Sequence, residues 1–157
     1  MQAHAALITR FYTAFSQRDA AGMAACYHPE VRFSDPAFPQ LRGAEASAMW
    51  AMLLARGKDL QLTFSDVSAD AEQGRAHWDA TYTFSKTGRK VLNRIDASFR
   101  FQDGLIIEHR DHFHFARWAR QALGLPGLVL GHTGFLQRKV QAEAARGLAA
   151  WRAQNGA

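Results

Sequence analysis

The sequence contains a single cysteine, Cys26, in 157 residues. One thiol excludes an internal disulfide framework and is typical of proteins from a reducing compartment, so we expect a cytoplasmic location. No apolar run approaches the roughly 18 residues that a membrane span requires. The N-terminal segment lacks the basic and apolar regions of a signal peptide. The sequence therefore predicts neither a secreted protein nor a membrane partner.

Motifs that bind nucleotides or support covalent catalysis are also missing. No P-loop, GxGxxG, GxSxG or CxxC pattern occurs, and we expect no cofactor. Acidic residues are scarce towards the C-terminus. Residues 105–157 contain 7 Lys/Arg and 3 Asp/Glu, whereas residues 1–104 contain 12 Lys/Arg and 11 Asp/Glu. A basic tail can attract phosphates or acidic partners. Because no nucleic-acid motif accompanies this charge, we interpret it as a solvated helix face and expect no nucleic-acid partner.

The residues that are present predict one folded domain. Hydrophobic residues make up 48% of the chain, which is enough for a sizeable core. Near the N-terminus, Leu7, Phe11 and Phe15 recur at the spacing of one helix face. Further helices are predicted over residues 20–28 and 43–57, and a short strand over residues 31–36.

Four later segments change to the period-two alternation of strands. They cover residues 60–67, 76–84, 93–101 and 105–115, and their connections are short, polar and glycine-containing. This pattern predicts an antiparallel meander. A short helix over residues 117–124, an apolar loop over 125–131 and a final helix over 134–152 follow. The sequence thus predicts an α+β cone, in which a curved antiparallel sheet wraps around the N-terminal helices and a C-terminal helical extension follows.

A resemblance to a known family rests on residues 7–36, LITRFYTAFSQRDAAGMAACYHPEVRFSDP. This segment is similar to the N-terminal third of ketosteroid isomerases and SnoaL-like polyketide cyclases, of the nuclear-transport-factor-2-like superfamily. The shared pattern is an amphipathic helix, an Asp-opened short helix and a strand ending in Asp-Pro. The resemblance implies a SnoaL-like cone domain over residues 1–115, with residues 116–157 as a helical extension of the same domain. It also implies a hydrophobic small-molecule ligand and a homodimer through the outer sheet face.

The same resemblance implies acid–base residues. Asp35 matches the general base of ketosteroid isomerases, and Phe33 and Phe38 flank it. Asp111 resembles the acid–base Asp on the last strand of SnoaL-like cyclases, with His109 two residues away on the same face. The alternative for Asp35 is a turn in which its carboxylate accepts backbone N–H groups. For the pair of His109 and Asp111 the alternative is a buried polar contact that supports the fold.

The oxyanion donors of ketosteroid isomerases are absent from the matching positions. Phe11 replaces the helix Tyr, and Ala97 replaces the Asp of the penultimate strand. We therefore expect no true steroid isomerase activity. Tyr12, one helix step away from Phe11, is a candidate oxyanion donor. Candidates for lining a ligand site, or for ordinary core packing, are Phe11, Phe33, Phe38, Trp50, Trp78, Tyr82 and Phe113.

His112 and His114 form an HxH pattern on the last strand, which with Glu108 or His109 could suggest a metal site. We expect no metal, because this face points outward. Two functions remain open. One is a cofactor-free isomerase, cyclase or hydratase acting on a hydrophobic carbonyl compound. The other is a non-catalytic module of the same fold that binds a ligand or a protein.

Overall fold

The computed structural model describes residues 2–156 and combines helices with one sheet. The helices within this range are α1 (Gln2–Ser16), α2 (Ala20–Ala25), α3 (Ala44–Arg56), α4 (Phe115–Leu123), α5 (Leu125–Leu130) and α6 (Gly134–Asn155). The strands are β1 (Tyr27–Ser34), β2 (Leu41–Arg42), β3 (Gln61–Ala69), β4 (Gln73–Phe84), β5 (Arg89–Gln102) and β6 (Leu105–His112). The predicted α+β fold, with a curved sheet and a C-terminal helix, is confirmed.

The helix ends follow the local sequence. The Asp19 carboxylate accepts the Gly22 N–H at 2.9 Å, which caps α2. At the end of α3, the Gly57 N–H donates to the Leu53 carbonyl at 2.7 Å. One face of α1 is buried in the core, because its apolar residues recur every three to four positions. The helices therefore present apolar faces to the concave side of the sheet.

The sheet has the strand order β2-β1-β6-β5-β4-β3. Strands β3 to β6 form the predicted antiparallel meander, and β5 alternates between exposed and buried residues from Lys90 to Arg100. The expectation of a wholly antiparallel sheet is wrong, however, because β1 pairs with β6 in parallel. A parallel pair requires a crossover connection. Here α3 and strands β3 to β5 form that crossover, because the chain comes back to pair with β1 only at β6, the last strand.

Three local details differ from the sequence-based prediction. The second helix stops at Ala25, and β1 already begins at Tyr27. Pro29 therefore lies inside a strand, where the pairing with β6 shifts register and no ladder N–H is needed. The two-residue strand β2 was not predicted. The apolar segment after Gly124 forms a helix rather than a loop, with Pro126 in its first turn, where a missing N–H is tolerated.

The C-terminal helix packs against the rest of the protein. Its N-cap Thr133 accepts the Leu136 N–H at 3.2 Å. Leu136 and Leu148 are buried, and the helix contacts α3. Phe135, in the first turn of the same helix, is exposed. The division at residue 115 stays a prediction.

Hydropathy adds one finding on the helices. Among those within residues 2–156, none combines the length and the apolar character needed to cross a lipid bilayer.

Candidate functional site

Asp35 lies on the turn that follows β1, and its carboxylate is anchored to the backbone. One carboxylate oxygen accepts the N–H groups of Ala37 at 2.8 Å and Phe38 at 2.6 Å. The Asp35 N–H donates to the Phe38 carbonyl at 2.9 Å. The turn that we considered as the alternative role of Asp35 is therefore present. Such hydrogen bonds favour the ionised carboxylate and would by themselves lower its pKa.

Burial outweighs these hydrogen bonds at Asp35. Desolvation, with a smaller contribution from the negative charge of Asp111, raises the pKa of Asp35 to about 7. Asp70 provides an internal comparison, because its carboxylate accepts two backbone N–H groups in the same way, from Glu72 at 2.8 Å and Gln73 at 2.7 Å. These bonds lower the pKa of the exposed Asp70. The environment of Asp35, and not its turn, therefore gives it a proton affinity suited to acid–base chemistry.

The parallel pairing of β1 and β6 brings Asp35 close to Asp111. Phe33 is the register partner of His109, and Ser34 is the partner of Arg110. Asp35 is the first residue after β1, and Asp111 is the next residue along β6. Because side chains alternate between the two faces of a strand, the Asp111 carboxylate lies on the same face of β6 as His109. The charge effect of Asp111 on the pKa of Asp35 agrees with this proximity.

His109 and Asp111 belong to a buried chain of hydrogen bonds. His109 Nε2 lies 2.9 Å from Asp111 Oδ1, and both side chains are almost fully buried. The other ring nitrogen, Nδ1, lies 2.7 Å from the Tyr27 hydroxyl. Trp50 Nε1 donates to that hydroxyl at 2.8 Å, and Trp78 Nε1 donates to Asp111 Oδ1 at 3.3 Å. Both ends of the chain are thus indole N–H groups.

These indole donors determine the tautomer of His109. An indole N–H can only donate, so the Tyr27 oxygen accepts from Trp50 and its own hydrogen is directed to His109 Nδ1. Nδ1 is then an acceptor, and Nε2 carries the hydrogen that is donated to the Asp111 carboxylate. This arrangement gives both ring nitrogens of His109 and the Tyr27 hydroxyl a hydrogen-bond partner, as a buried network requires.

Tyr12 has a different environment, because its hydroxyl is unpaired. Among residues 2–156, it is a buried side-chain polar atom without a hydrogen-bond partner. Burial, followed by the charge of Asp111, raises the pKa of Tyr12 well above its usual value. The hydroxyl therefore keeps its hydrogen at neutral pH and is available as a donor. Phe11 is directed to His109 instead, with the ring centroids 5.4 Å apart.

Aromatic rings surround His109 on the inner face. Phe33 and Phe99 lie with their ring centroids 5.0 and 4.5 Å from the imidazole. Tyr82 lies near Asp35: burial, with a smaller effect from the charge of Asp35, raises the pKa of Tyr82 to about 12. The other residues predicted to line a ligand site are buried in the same core: Phe11, Phe38, Trp50, Trp78 and Phe113.

Three residues near the candidate site were missed at the sequence level. We placed Tyr27 in a helix, although it begins β1 and holds His109. Phe99 was not among the candidates, although it lies on β5 with its ring centroid 4.5 Å from the His109 imidazole. Trp118 donates its indole N–H to the Tyr82 hydroxyl at 2.8 Å. The alternation of the strand that carries Phe99 was the signal for it. Tyr27 and Trp118 depend on contacts between distant segments, which periodicity does not reveal.

Two cavities lie outside this cluster. One, of about 160 Å³, is lined by residues of α4 and by segment 127–132. The other, of about 500 Å³, lies between the end of α1 and β3 to β5, near Arg18 and Leu62. Neither is lined by Asp35, His109 or Asp111. That Asp35 and Asp111 share a cavity therefore stays a prediction.

The HxH pattern does not assemble a metal site in the described part of the chain. His114 caps α4 by accepting the Arg117 N–H at 3.1 Å, while His112 is exposed on the outer face. Residues 2–156 contain no group of three or more His, Cys, Asp or Glu side chains placed to hold a metal ion.

Comparisons with known proteins support the resemblance found in the sequence. The family model of the SnoaL-like domain matches residues 8–109. Among curated proteins, none matches the chain. Solved structures with a similar fold include an NTF2-like protein from Burkholderia pseudomallei K96243, with 20% identity, a TM-score of 0.66, and 77% of this chain and 98% of that chain covered.

Two further solved structures have more specific descriptions. A LEH-like epoxide hydrolase from M. tuberculosis is 16% identical, with a TM-score of 0.64, and the match covers 83% of this chain and 95% of that chain. A candidate SnoaL-like polyketide cyclase from Jannaschia sp. CCS1 is 15% identical, with a TM-score of 0.68, and the match covers 80% of this chain and 94% of that chain. At these identities the likeness shows the fold alone.

Proposed function

Because the chain belongs to the SnoaL-like domain family, we propose that it is a cofactor-free acid–base enzyme acting on a hydrophobic carbonyl compound. The reaction class is isomerisation, cyclisation or hydration. Asp35 exchanges a proton with a carbon next to the carbonyl group, and Asp111 and His109 form the second acid–base pair.

One observation supports this proposal: Asp35 directly follows the segment of β1 that pairs with β6 beside His109, and burial, with the charge of Asp111, raises its pKa to about 7. Two neighbouring carboxylates with different environments are the usual basis for an acid and a base in one site. A group whose pKa lies near the working pH can both accept and return a proton efficiently. A purely structural turn does not need a raised carboxylate pKa, since the pKa of Asp70, in a similar turn, is lowered.

The proposed proton transfer uses the residues in distinct roles. The Asp35 carboxylate removes the proton from the α-carbon, and the electron pair of the C–H bond moves to the carbonyl oxygen to form an enolate. Tyr12 donates its unpaired hydroxyl hydrogen to that oxygen as a hydrogen bond. Protonated Asp35, or the pair of Asp111 and His109, then returns a proton to the product. No redox step is required.

The surroundings favour an apolar substrate. Phe33, Trp50 and Trp78 are buried on the inner face. An apolar environment both favours an apolar ligand and maintains the raised pKa of Asp35. The ligand-lining roles proposed for Phe11, Phe38, Tyr82 and Phe113 rest on the same reasoning.

The decisive experiment measures exchange at the α-carbon. The protein is incubated in D₂O with a panel of hydrophobic ketones, and proton NMR follows the loss of the α-hydrogen signal. We expect exchange that Asp35→Asn reduces by about 10²- to 10⁴-fold. Asp96→Asn, on the outer face, serves as the control and retains the rate. If ketones bind, as seen by line broadening, but wild-type protein causes no exchange, the non-catalytic binding module is the correct function.

We also propose a homodimer and a cytoplasmic location. The outer sheet face is polar, and His77 lies 2.8 Å from Asp79 and 2.9 Å from Asp96 on it. Light scattering at micromolar concentration tests the dimer, and a monomeric mass argues against it. The residues predicted at this interface are His77, Thr81, Thr83, Ser98, Arg100, Arg110 and His112.

A further inference from the structure

The segment between Asp111 and Glu143 has an unusual charge composition. Residues 112–142 contain four Lys/Arg and three His but no Asp or Glu. This segment includes α4, α5 and the first turns of α6. An acid-free stretch of this length creates a positive local potential, because no intervening carboxylate neutralises the cationic side chains.

Part of this charge surrounds a cavity. The cavity of about 160 Å³ is lined by His114, which caps α4, by Arg117 and Arg120 of α4, and by Leu128 and His132 from the segment that follows. Within residues 2–156, no ion pair involves the guanidinium groups of Arg117 or Arg120. Two arginines three positions apart on one helix repel each other unless an anion lies between them. The cavity therefore has the charge and the donors for a phosphate group.

Close packing fixes the position of α5 beside the cavity. A Cβ atom at Gly127 would lie 1.9 Å from the Ala119 carbonyl oxygen, so only glycine allows this approach of α5 to α4. Leu128 consequently lines the cavity on one side and is exposed to solvent on the other. The cationic and apolar parts of the surface meet at this residue.

The apolar part of the surface is concentrated in a few residues. Leu125, Val129 and Phe135 are 70%, 66% and 61% exposed, and Leu128 is 56% exposed. Leu130 also belongs to the exposed group, so five of the seven large exposed apolar residues of the described chain fall within residues 125–135. A concentration of this kind marks an interaction site, whereas apolar residues scattered singly need no explanation.

We propose that this surface binds the face of an anionic lipid bilayer. A lipid phosphate occupies the cavity between Arg117 and Arg120, and the exposed side chains of α5 enter the boundary between headgroups and acyl chains. An anionic bilayer presents fixed negative charge immediately above an apolar layer, which matches a cationic cavity beside exposed apolar side chains. The absence of a membrane-spanning run does not oppose this, since surface binding requires none.

Charge argues against a second copy of the chain as the occupant. A symmetric contact through this surface would bring the unpaired Arg117 and Arg120 of both copies together without any acidic side chain from residues 112–142. A bilayer relieves the same repulsion. The inference is independent of the proposed enzymatic function, because it concerns other residues and a different measurement.

The test is sedimentation of the full chain with vesicles of phosphatidylcholine, with and without phosphatidylserine. We expect binding only to the anionic vesicles, and loss of binding at about 1 M salt, where the Debye length falls to about 3 Å. Arg117→Gln combined with Arg120→Gln should weaken partitioning about 25-fold, since each basic residue near such a surface contributes about fivefold. Lys58→Gln combined with Arg94→Gln removes the same charge from exposed positions elsewhere and should have little effect.

A second variant tests the apolar contribution. Leu128→Ser combined with Val129→Ser changes exposed side chains and should leave the folded state intact while reducing vesicle binding at least tenfold. The proposal is overturned if anionic vesicles do not sediment the protein, or if the control pair weakens binding as much as the arginine pair. Binding of inorganic phosphate without vesicle binding also overturns it. So does a dimer, detected by light scattering, that the serine variant converts to monomer while vesicle binding is absent.

Discussion

Replacing Asp35 with asparagine removes the charge of the side chain and keeps the shape of its turn. The asparagine carbonyl oxygen can still accept the N–H groups of Ala37 and Phe38, which contact one carboxylate oxygen in the wild-type protein. Any change in stability with pH therefore reports on the ionisation of Asp35. This separation makes the variant a direct measure of the environment on which the proposed chemistry depends.

The raised pKa of Asp35 determines whether stability rises or falls with pH. Between about pH 4 and pH 7 the folded protein keeps a proton on Asp35 that the unfolded chain has lost, so the free energy of unfolding falls as pH rises. Burial raises the Asp35 pKa from 3.8 to about 7, and each pH unit corresponds to about 1.4 kcal/mol. The upper limit is therefore about 4 kcal/mol. Because Asp35 keeps partial exposure to solvent, we expect about 2 kcal/mol.

Denaturant unfolding of the wild type and of Asp35→Asn across this pH range provides the assay. The two proteins should be equally stable near about pH 4, and the variant should be more stable by about 2 kcal/mol near about pH 8. Asp70→Asn is the matched control: because the Asp70 pKa is lowered, its charge stabilises the folded state fully above about pH 4, so that variant should be less stable than wild type by an amount that stays constant between about pH 4 and pH 8. A difference for Asp35→Asn that stays constant across the range would refute the raised pKa.

Four other predictions concern separate features. Tyr12→Phe removes an unpaired buried hydroxyl and should stabilise the protein by about 1–3 kcal/mol in denaturant unfolding, and a loss of stability would reveal a partner for that hydroxyl. Tyr27→Phe removes the hydroxyl that donates to His109 Nδ1 and should shift the tautomer of the ring, which ¹⁵N NMR detects. An unchanged spectrum would contradict the hydrogen-bond chain from Tyr27 to Asp111. Deleting residues 133–157 removes the buried Leu136 and Leu148, each of which contributes roughly 1.5–3 kcal/mol of burial free energy, and exposes the surface on which they pack. The melting temperature should therefore fall, or the truncated protein should bind a hydrophobic dye. If neither change is observed, the helix is an appendage. EDTA should leave the melting temperature unchanged, and a decrease reversed by zinc would show a structural metal.

The fold was largely predictable because its signals are local. Alternation along β6 puts His109 and Asp111 on one face, and the family resemblance indicated that this face is the inner one, where both residues are buried. Asp19 and Thr133 indicate where helices begin, because their side-chain oxygens accept hydrogen bonds from nearby backbone N–H groups. These features depend on neighbours a few residues away, so a single sequence contains them.

The remaining features depend on segments that meet only in the folded chain. The parallel partner of β1 is not encoded in the period of either strand, and Tyr27 has no local pattern that reveals its bond to His109. The raised pKa of Asp35 likewise depends on what covers the turn, whereas the Asp-Pro motif specifies only the turn itself. Asp35 was a candidate because of a family resemblance, and its electrostatics required the three-dimensional environment.

The pairing of β1 with β6 has a consequence for the order in which the protein is made. Tyr27 and His109 are 82 residues apart, and the side chains of Gln137 and Gln141 reach back across 101 and 105 residues to the Pro36 carbonyl, at 3.2 and 3.1 Å. A chain still emerging from the ribosome has Asp35 on its turn but neither its neighbouring strand nor the helix above it. Contacts of such long sequence separation form late, because closing the intervening loop loses more entropy than local pairing does. The environment of Asp35 is therefore completed among the last events of synthesis, and a nascent chain that ends before residue 105 carries Asp35 as an ordinary, solvated aspartate.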